Sequence, residues 1–350
     1  MPDISKLDKN FSVSAAVEAE KTDYYDAAGE PFKIYGLPYG LNSRLPENIL
    51  ISEPLRGVSA HTAGGRIRFT TNSEYIAVRL YVPDSYIMPH MPASGSLGCD
   101  MYIKEHKGYA YAGTFMPPNV SKPGSYETVI HLGSRKMRDI TINLPLYNSV
   151  SNIIIGLEKG AKLKKSPEYT HQLPIVFYGS SITQGGCASK PGNSYEAMIS
   201  RRFDCDYINL GFSGNAKGEQ EVAEVVAKLK MSAFVLDYDH NAPTPEHLKR
   251  THRPFFDTVR KENPELPIII ATRPKVQLSA EEKDRRKTAH ATYMAARRSG
   301  DKNVYFADGT KMFSRVGGDE LCTVDGSHPN DLGFYGMSLV FGSILKKIGF

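Results

Sequence analysis

The sequence predicts a two-part chain, a β-sandwich followed by an α/β unit whose parallel sheet is covered on both faces. Three observations carry this expectation. Residues up to about 165 read as short alternating strands separated by Gly, Pro and Asn turns. From Pro174 onward, short apolar runs alternate with segments of helical period. Between them, residues 158–173 are mostly polar, contain Pro167 and lack a regular period. The expected boundaries are therefore 1–165 and 172–350.

In the first part, Arg66 to Thr70 and Ala77 to Tyr81 alternate polar and less polar side chains, and suit adjacent half-buried strands. Further strands are expected over Asp100 to Ile103, Tyr109 to Phe115, Tyr126 to Leu132, Arg138 to Leu144 and Asn152 to Leu157. Their spacing suggests a sandwich. Val82 to Leu97 reads as a long loop, either facing a ligand or lying free on the surface. In the second part, strands are expected at Ile175–Phe177, Tyr207–Leu210, Ala233–Leu236, Ile268–Ile270 and Val304–Phe306. Helices are expected near 194–202, 218–230, 245–261, 280–298 and 331–347, the third kinked or split by Pro254. Val222, Val225, Val226 and Leu229 form the stripe of a helix lying on a sheet. Short apolar strands joined by helical crossovers argue for a parallel sheet, whose ligands bind beyond the strand C-terminal ends.

The chain has 350 residues, 41% hydrophobic and 23% charged, enough for substantial cores and against wholesale disorder. A formal charge of +5 with no basic cluster interleaved with aromatics argues against a nucleic-acid partner. Lys162 to Lys165 and Arg285-Arg286-Lys287 are expected on solvated faces. No stretch approaches the ~18 apolar residues of a membrane span, and Met1 to Asp8 has no apolar leader core, so a cytoplasmic location is expected. The four cysteines, Cys99, Cys187, Cys205 and Cys322, form no C-x-x-C pair and are expected as free thiols. His90, His106 and the other N-terminal histidines show no compact ligand spacing, and neither a metal nor a cofactor is expected.

The segment Phe177 to Gly185 places the hydroxyl pair Ser180-Ser181 between glycines, where a strand can turn into a helix. A serine there projects beyond the sheet and feels the positive helix end. Ser181 is the candidate nucleophile and Ser180 competes with it. Far downstream, Val324-Asp325-Gly326-Ser327-His328-Pro329 offers His328 as a base. Asp325 and Asp331 are equally near it in sequence, and spacing alone does not choose the acid. Asn209 to Asn215 runs off a strand and offers the Gly214 N–H to an oxyanion; Asn241, after the third strand, offers its side-chain amide. His240 either touches substrate or packs a turn. Together these are the parts of nucleophilic acyl transfer.

On these residues the chain resembles the SGNH hydrolase superfamily, also called GDSL-like lipases or esterases. The matching blocks are Gly179-Ser180-Ser181-Ile182, Asn209 to Gly214, Asp239-His240-Asn241-Ala242 and Asp325-Gly326-Ser327-His328. The resemblance implies a flavodoxin-like three-layer fold over residues 172–350. It also implies a catalytic set of Ser181, Asp325 and His328, and an oxyanion hole of Ser181, Gly214 and Asn241. It favours Asp325 over Asp331. Ser180 stands where the family often has aspartate, Asp239 where it usually has glycine, and Ala242 where aspartate is common. The N-terminal half, with Gly98-Cys99-Asp100-Met101-Tyr102, looks like the β-rich accessory domain of some bacterial SGNH esterases. The implied activity is hydrolysis of small acyl esters, with O-acetyl groups on carbohydrates as a plausible substrate. A lipase or thioesterase, and a carbohydrate-binding protein with an inactive hydrolase half, are the rivals.

Overall fold

The computed structural model describes residues 17–85, 88–117 and 123–350. Met1 to Asp8, read above for a leader, lie outside the described residues, as do Tyr86 and Ile87 of the long loop.

The N-terminal half contains β1 (Thr22–Asp26), β2 (Lys33–Tyr35), α1 (Glu53–Ser59), β3 (Arg66–Thr71), β4 (Tyr75–Val82), α2 (Ala93–Ser96), β5 (Cys99–Glu105), β6 (Gly108–Phe115), β7 (Gly124–His131), β8 (Arg138–Asn143), β9 (Asn152–Glu158) and β10 (Leu163–Lys164). Two antiparallel sheets result, β1-β9-β4-β7 and β10-β3-β8-β5-β6, with β2 also pairing β3. Their facing side chains, Phe69, Val78, Leu80, Met101, Ile142 and Ile155 among them, form one apolar core. All the expected strands occur, but β3 and β4 are not neighbours: they lie in opposite sheets. Asn72 to Glu74 carries the chain from one sheet to the other, because Ile67 and Phe69 of β3 and Ile76, Val78 and Leu80 of β4 bury into the same core from its two sides. Nor is β3 half-buried, since Arg66 and Arg68 are each only 1% exposed.

The C-terminal half contains β11 (His171–Gly179), α3 (Ser181–Gln184), α4 (Tyr195–Phe203), β12 (Cys205–Gly211), α5 (Gln220–Lys228), β13 (Ala233–Asp237), α6 (Pro245–Glu262), β14 (Ile268–Ala271), α7 (Ala280–Arg298), β15 (Val304–Ala307), α8 (Gly318–Cys322) and α9 (Asp331–Ile348). Its five strands are all parallel in the order β12-β11-β13-β14-β15, the flavodoxin-like arrangement. Alternate residues feed opposite faces. Val176, Tyr178, Phe234, Leu236 and Ile270 pack with α5, α6 and α7, whereas Ile175, Phe177, Val235 and Ile269 pack with α4 and α9. Helix α6 runs unbroken through Pro254, so the expected split does not occur. The aromatic anchors Phe255 and Phe256 beside that proline are buried, and this packing outweighs one lost hydrogen bond.

Candidate functional site

Strand β11 ends at Gly179, where a Cβ would collide with Thr183 Oγ1 and the Asp237 carbonyl, so only glycine lets β11, β13 and the following turn pack this closely. Ser180 then caps α3: its Oγ accepts from Ile182 N at 3.1 Å and is fully buried. Ser181 is the residue that projects, its Oγ 3.0 Å from His328 Nε2. Of the two serines, it is Ser181 whose hydroxyl faces His328, while the Ser180 hydroxyl faces the backbone of α3.

Asp325 Oδ2 lies 2.7 Å from His328 Nδ1, and Oδ1 accepts from the backbone N–H groups of Ser327 at 2.9 Å and His328 at 2.7 Å. Partial burial raises the Asp325 carboxyl, but these hydrogen bonds outweigh it and bring it down to about 2. Asp331 points elsewhere, accepting from Ser189 N at 2.8 Å and Asn193 Nδ2 at 2.8 Å. It sits in the first turn of α9, behind the Asn330 cap.

Gly214 adopts φ +68°, and among the described residues its N–H has no hydrogen-bond acceptor. Asn241 Nδ2 donates to Phe212 O at 3.1 Å, which holds the amide against the same loop and leaves its second N–H. His240 is largely but not fully buried, its Nδ1 3.7 Å from Asp239 Oδ1, and desolvation lowers its pKa despite that carboxylate. Asp239 accepts from Arg273 N at 3.1 Å and 3.2 Å through its two oxygens.

Several residues of the site escaped the sequence reading. Arg285, expected on a solvated face, is buried: its guanidinium donates to Asp239 O at 2.9 Å and Ala242 O at 2.6 Å, clamping the turn that carries Asn241. A charge run cannot reveal which member turns inward. Arg286 also pairs, with Asp308, whereas Lys287 and the Lys162 to Lys165 lysines are exposed. Arg273 Nη2 donates to Ser327 Oγ at 2.7 Å, tying the loop of His328 to the sheet. Fully buried Arg44 from the N-terminal half donates to Asn209 O at 3.0 Å and Gly211 O at 2.7 Å, at the root of the Gly214 loop. Cys187 and Cys322 are buried thiols.

Residues 88–97 of the long loop in the N-terminal half are docked beside the site. Ser94 Oγ donates to Ser189 O at 2.6 Å, Met91 packs into the α4/α9 core, and the His90 ring lies 5.4 Å from that of His328. One ligating atom each of His90, Asp325 and His328 lie within 4.8 Å of one another, a proximity that sequence spacing does not show. The Gly98 to Tyr102 segment locks the halves together. Asp100 accepts from Gly192 N at 2.9 Å and Asn143 Nδ2 at 2.8 Å, and burial raises its carboxyl to about 6. Among the described residues, no helix is long and apolar enough to cross a membrane.

Comparison with known proteins agrees with this architecture. The GDSL-like lipase/acylhydrolase family profile matches residues 172–346, and that of the N-terminus of SGNH-hydrolase-type esterases, GxDLY, matches residues 22–163. No curated protein sequence matches the chain. Among solved structures, a candidate GDSL-like lipase from Bacteroides ovatus ATCC 8483 is 30% identical with a TM-score of 0.80, covering 93% of this chain and 98% of that one. The salicylyl-acyltransferase SsfX3 of a tetracycline biosynthetic pathway is 19% identical with a TM-score of 0.74, covering 95% and 99%. An acetyl xylan esterase from the rumen bacterium Butyrivibrio proteoclasticus is 14% identical with a TM-score of 0.59, covering 93% and 98%. The last two share the fold; the first, with the two profiles, extends the likeness to sequence across both halves. This chain therefore belongs to the GDSL-like lipase/acylhydrolase family, as an SGNH-type esterase with a β-rich N-terminal half.

Proposed function

We propose that the protein is a serine esterase that removes small acyl groups, acetyl above all, from hydroxyls of a carbohydrate. The observation that carries this reading is the contiguous Ser181–His328–Asp325 arrangement, with separations of 3.0 Å and 2.7 Å. In the reaction, His328 Nε2 takes the Ser181 proton as Oγ bonds to the ester carbonyl carbon. Asp325 holds the imidazole in the tautomer that leaves Nε2 free to accept. The Ser181 and Gly214 N–H groups and the Asn241 amide receive the oxyanion. Collapse breaks the C–O bond, and the alcohol leaves with the proton from His328. Water, deprotonated by His328, then attacks the acyl-enzyme, and its collapse returns Ser181 Oγ and the free acid.

On the Asp325 side of the triad, Lys275, Gln277, Asp319, Glu320 and Thr323, together with the exposed Val324, line an open depression of about 600 Å³. The acetyl xylan esterase likeness supports a carbohydrate ester as the substrate. The test is hydrolysis of p-nitrophenyl acetate, p-nitrophenyl palmitate and acetylated sugars by wild-type and Ser181→Ala protein. Acetate and acetyl-sugar turnover lost in the variant is the expected result. Preference for palmitate favours a lipase, and sugar affinity without Ser181-dependent turnover favours a binding protein.

A further inference from the structure

Gln184 takes no part in the chemistry above, yet its fully buried side chain joins three segments that meet at the site. Its Nε2 lies 3.0 Å from Leu146 O and 2.9 Å from His61 Nδ1, both in the N-terminal half, and its Oε1 accepts from Ser213 N at 2.9 Å. The amide cannot be turned round. Leu146 O only accepts, so the nitrogen must face it, and the oxygen is left for the Ser213 N–H. His61 reinforces this orientation: burial, helped by the charge of Arg44, pushes its imidazole down to about 3, so it remains neutral with a lone pair to offer.

The next peptide is held from its other side. Asn215 Nδ2 donates to Ser213 O at 2.7 Å. The Ser213–Gly214 bond is trans, so the Gly214 N–H points opposite to that carbonyl. Pinning Ser213 at both N–H and C=O thus aims the Gly214 N–H, which has no acceptor among the described residues. Gln184 is also the last residue of the turn that Ser181 begins, and Tyr147 of the N-terminal half donates to Ser181 O at 3.0 Å. Nucleophile and clamp therefore ride on one rigid turn, braced by the N-terminal half.

We propose that Gln184, oriented by His61 and Leu146, is a positioning residue that aims the Gly214 N–H at the oxyanion, so that the N-terminal half helps to build the oxyanion hole. This rests on the serine-esterase reading above. Losing an oxyanion donor outright costs about 100- to 1,000-fold in kcat, so a misdirected donor should cost about 10- to 100-fold.

The experiment uses the full chain and p-nitrophenyl acetate, comparing wild type, Ser181→Ala, Gln184→Met, Gln184→Glu and His61→Phe. Gln184→Met keeps the volume but loses all three hydrogen bonds. It is expected to lose kcat by about 10- to 100-fold with KM little changed. Gln184→Glu, as a neutral acid, donates to Leu146 O and still accepts from Ser213 N–H, so it is expected to recover most of that loss and to weaken again as pH rises and it ionises. His61→Phe is expected to lose kcat by a smaller factor, and it carries the test, with Gln184→Glu, if Gln184→Met fails to fold. Wild-type kcat in the folded Gln184 and His61 variants, with Ser181→Ala inactive, overturns this inference alone. A loss confined to KM also overturns it. Wild-type turnover by Ser181→Ala overturns the esterase reading and this inference with it.

Discussion

Asp325→Asn separates the electronic role of the carboxylate from its structural one. Among the described residues, Asp325 makes three hydrogen bonds. Two, from Ser327 N at 2.9 Å and His328 N at 2.7 Å, end on Oδ1, and an amide oxygen can accept both. The third, between Oδ2 and His328 Nδ1 at 2.7 Å, is inverted, because an amide nitrogen there can only donate. Nδ1 must then accept, the imidazole proton moves to Nε2, and Nε2 can no longer take the proton of Ser181 3.0 Å away. A wrong-tautomer penalty of this kind is about 10,000-fold in kcat, or about 5 kcal/mol of transition-state stabilisation. Because the loop keeps its two backbone bonds, the thermal midpoint should move little. Steady-state hydrolysis of p-nitrophenyl acetate, run beside thermal unfolding, reads both quantities. The Asp325 carboxyl stays ionised down to about 2 in the wild type, so the deficit should persist throughout the neutral range. A variant that folds and retains more than a tenth of wild-type kcat would refute the tautomer argument.

Ser180→Ala removes a helix cap, so it should cost about 1 kcal/mol of stability while turnover stays within a few-fold of wild type; loss of turnover matching Ser181→Ala would reverse the roles of the two serines. Arg285→Met strands the buried carbonyls of Asp239 and Ala242, so it should destabilise by about 2–5 kcal/mol and lower kcat through the Asn241 turn, and a urea midpoint equal to wild type would refute the clamp. Asp237, completely buried and close to Asp239, has its carboxyl raised by burial and by that neighbour to about 8. The folded protein therefore holds a proton that the unfolded chain releases between the ordinary carboxylate range and about 8, and stability should fall as pH rises through that window. Asp237→Asn should flatten that fall, on the order of a few kcal/mol, in unfolding curves taken across the window; an unchanged pH slope would show that Asp237 is not its source.

The linear order of residues determined those features that depend on local period and on glycine. The Val222, Val225, Val226 and Leu229 stripe places α5 on the sheet. The apolar runs at Ile175–Phe177 and Ile268–Ile270 mark central parallel strands, and the Gly179 turn presents a serine. The Asp325-x-x-His328 spacing is short enough for one loop to bring acid and imidazole to 2.7 Å. Even there, choosing between Ser180 and Ser181, or between Asp325 and Asp331, needed more than spacing, because both members of each pair suit the same local chemistry. Tertiary structure alone decided which of them face His328. It also decided that β3 and β4 part into two sheets, that Arg285 turns inward, and that Arg44, His61 and His90 reach the site from a different half of the chain. These contacts join residues more than a hundred positions apart for Arg44 and His61, and more than two hundred for His90. No period or spacing encodes them; they arise when two separately patterned halves bury their polar groups against each other, and most buried donors gain an acceptor in doing so.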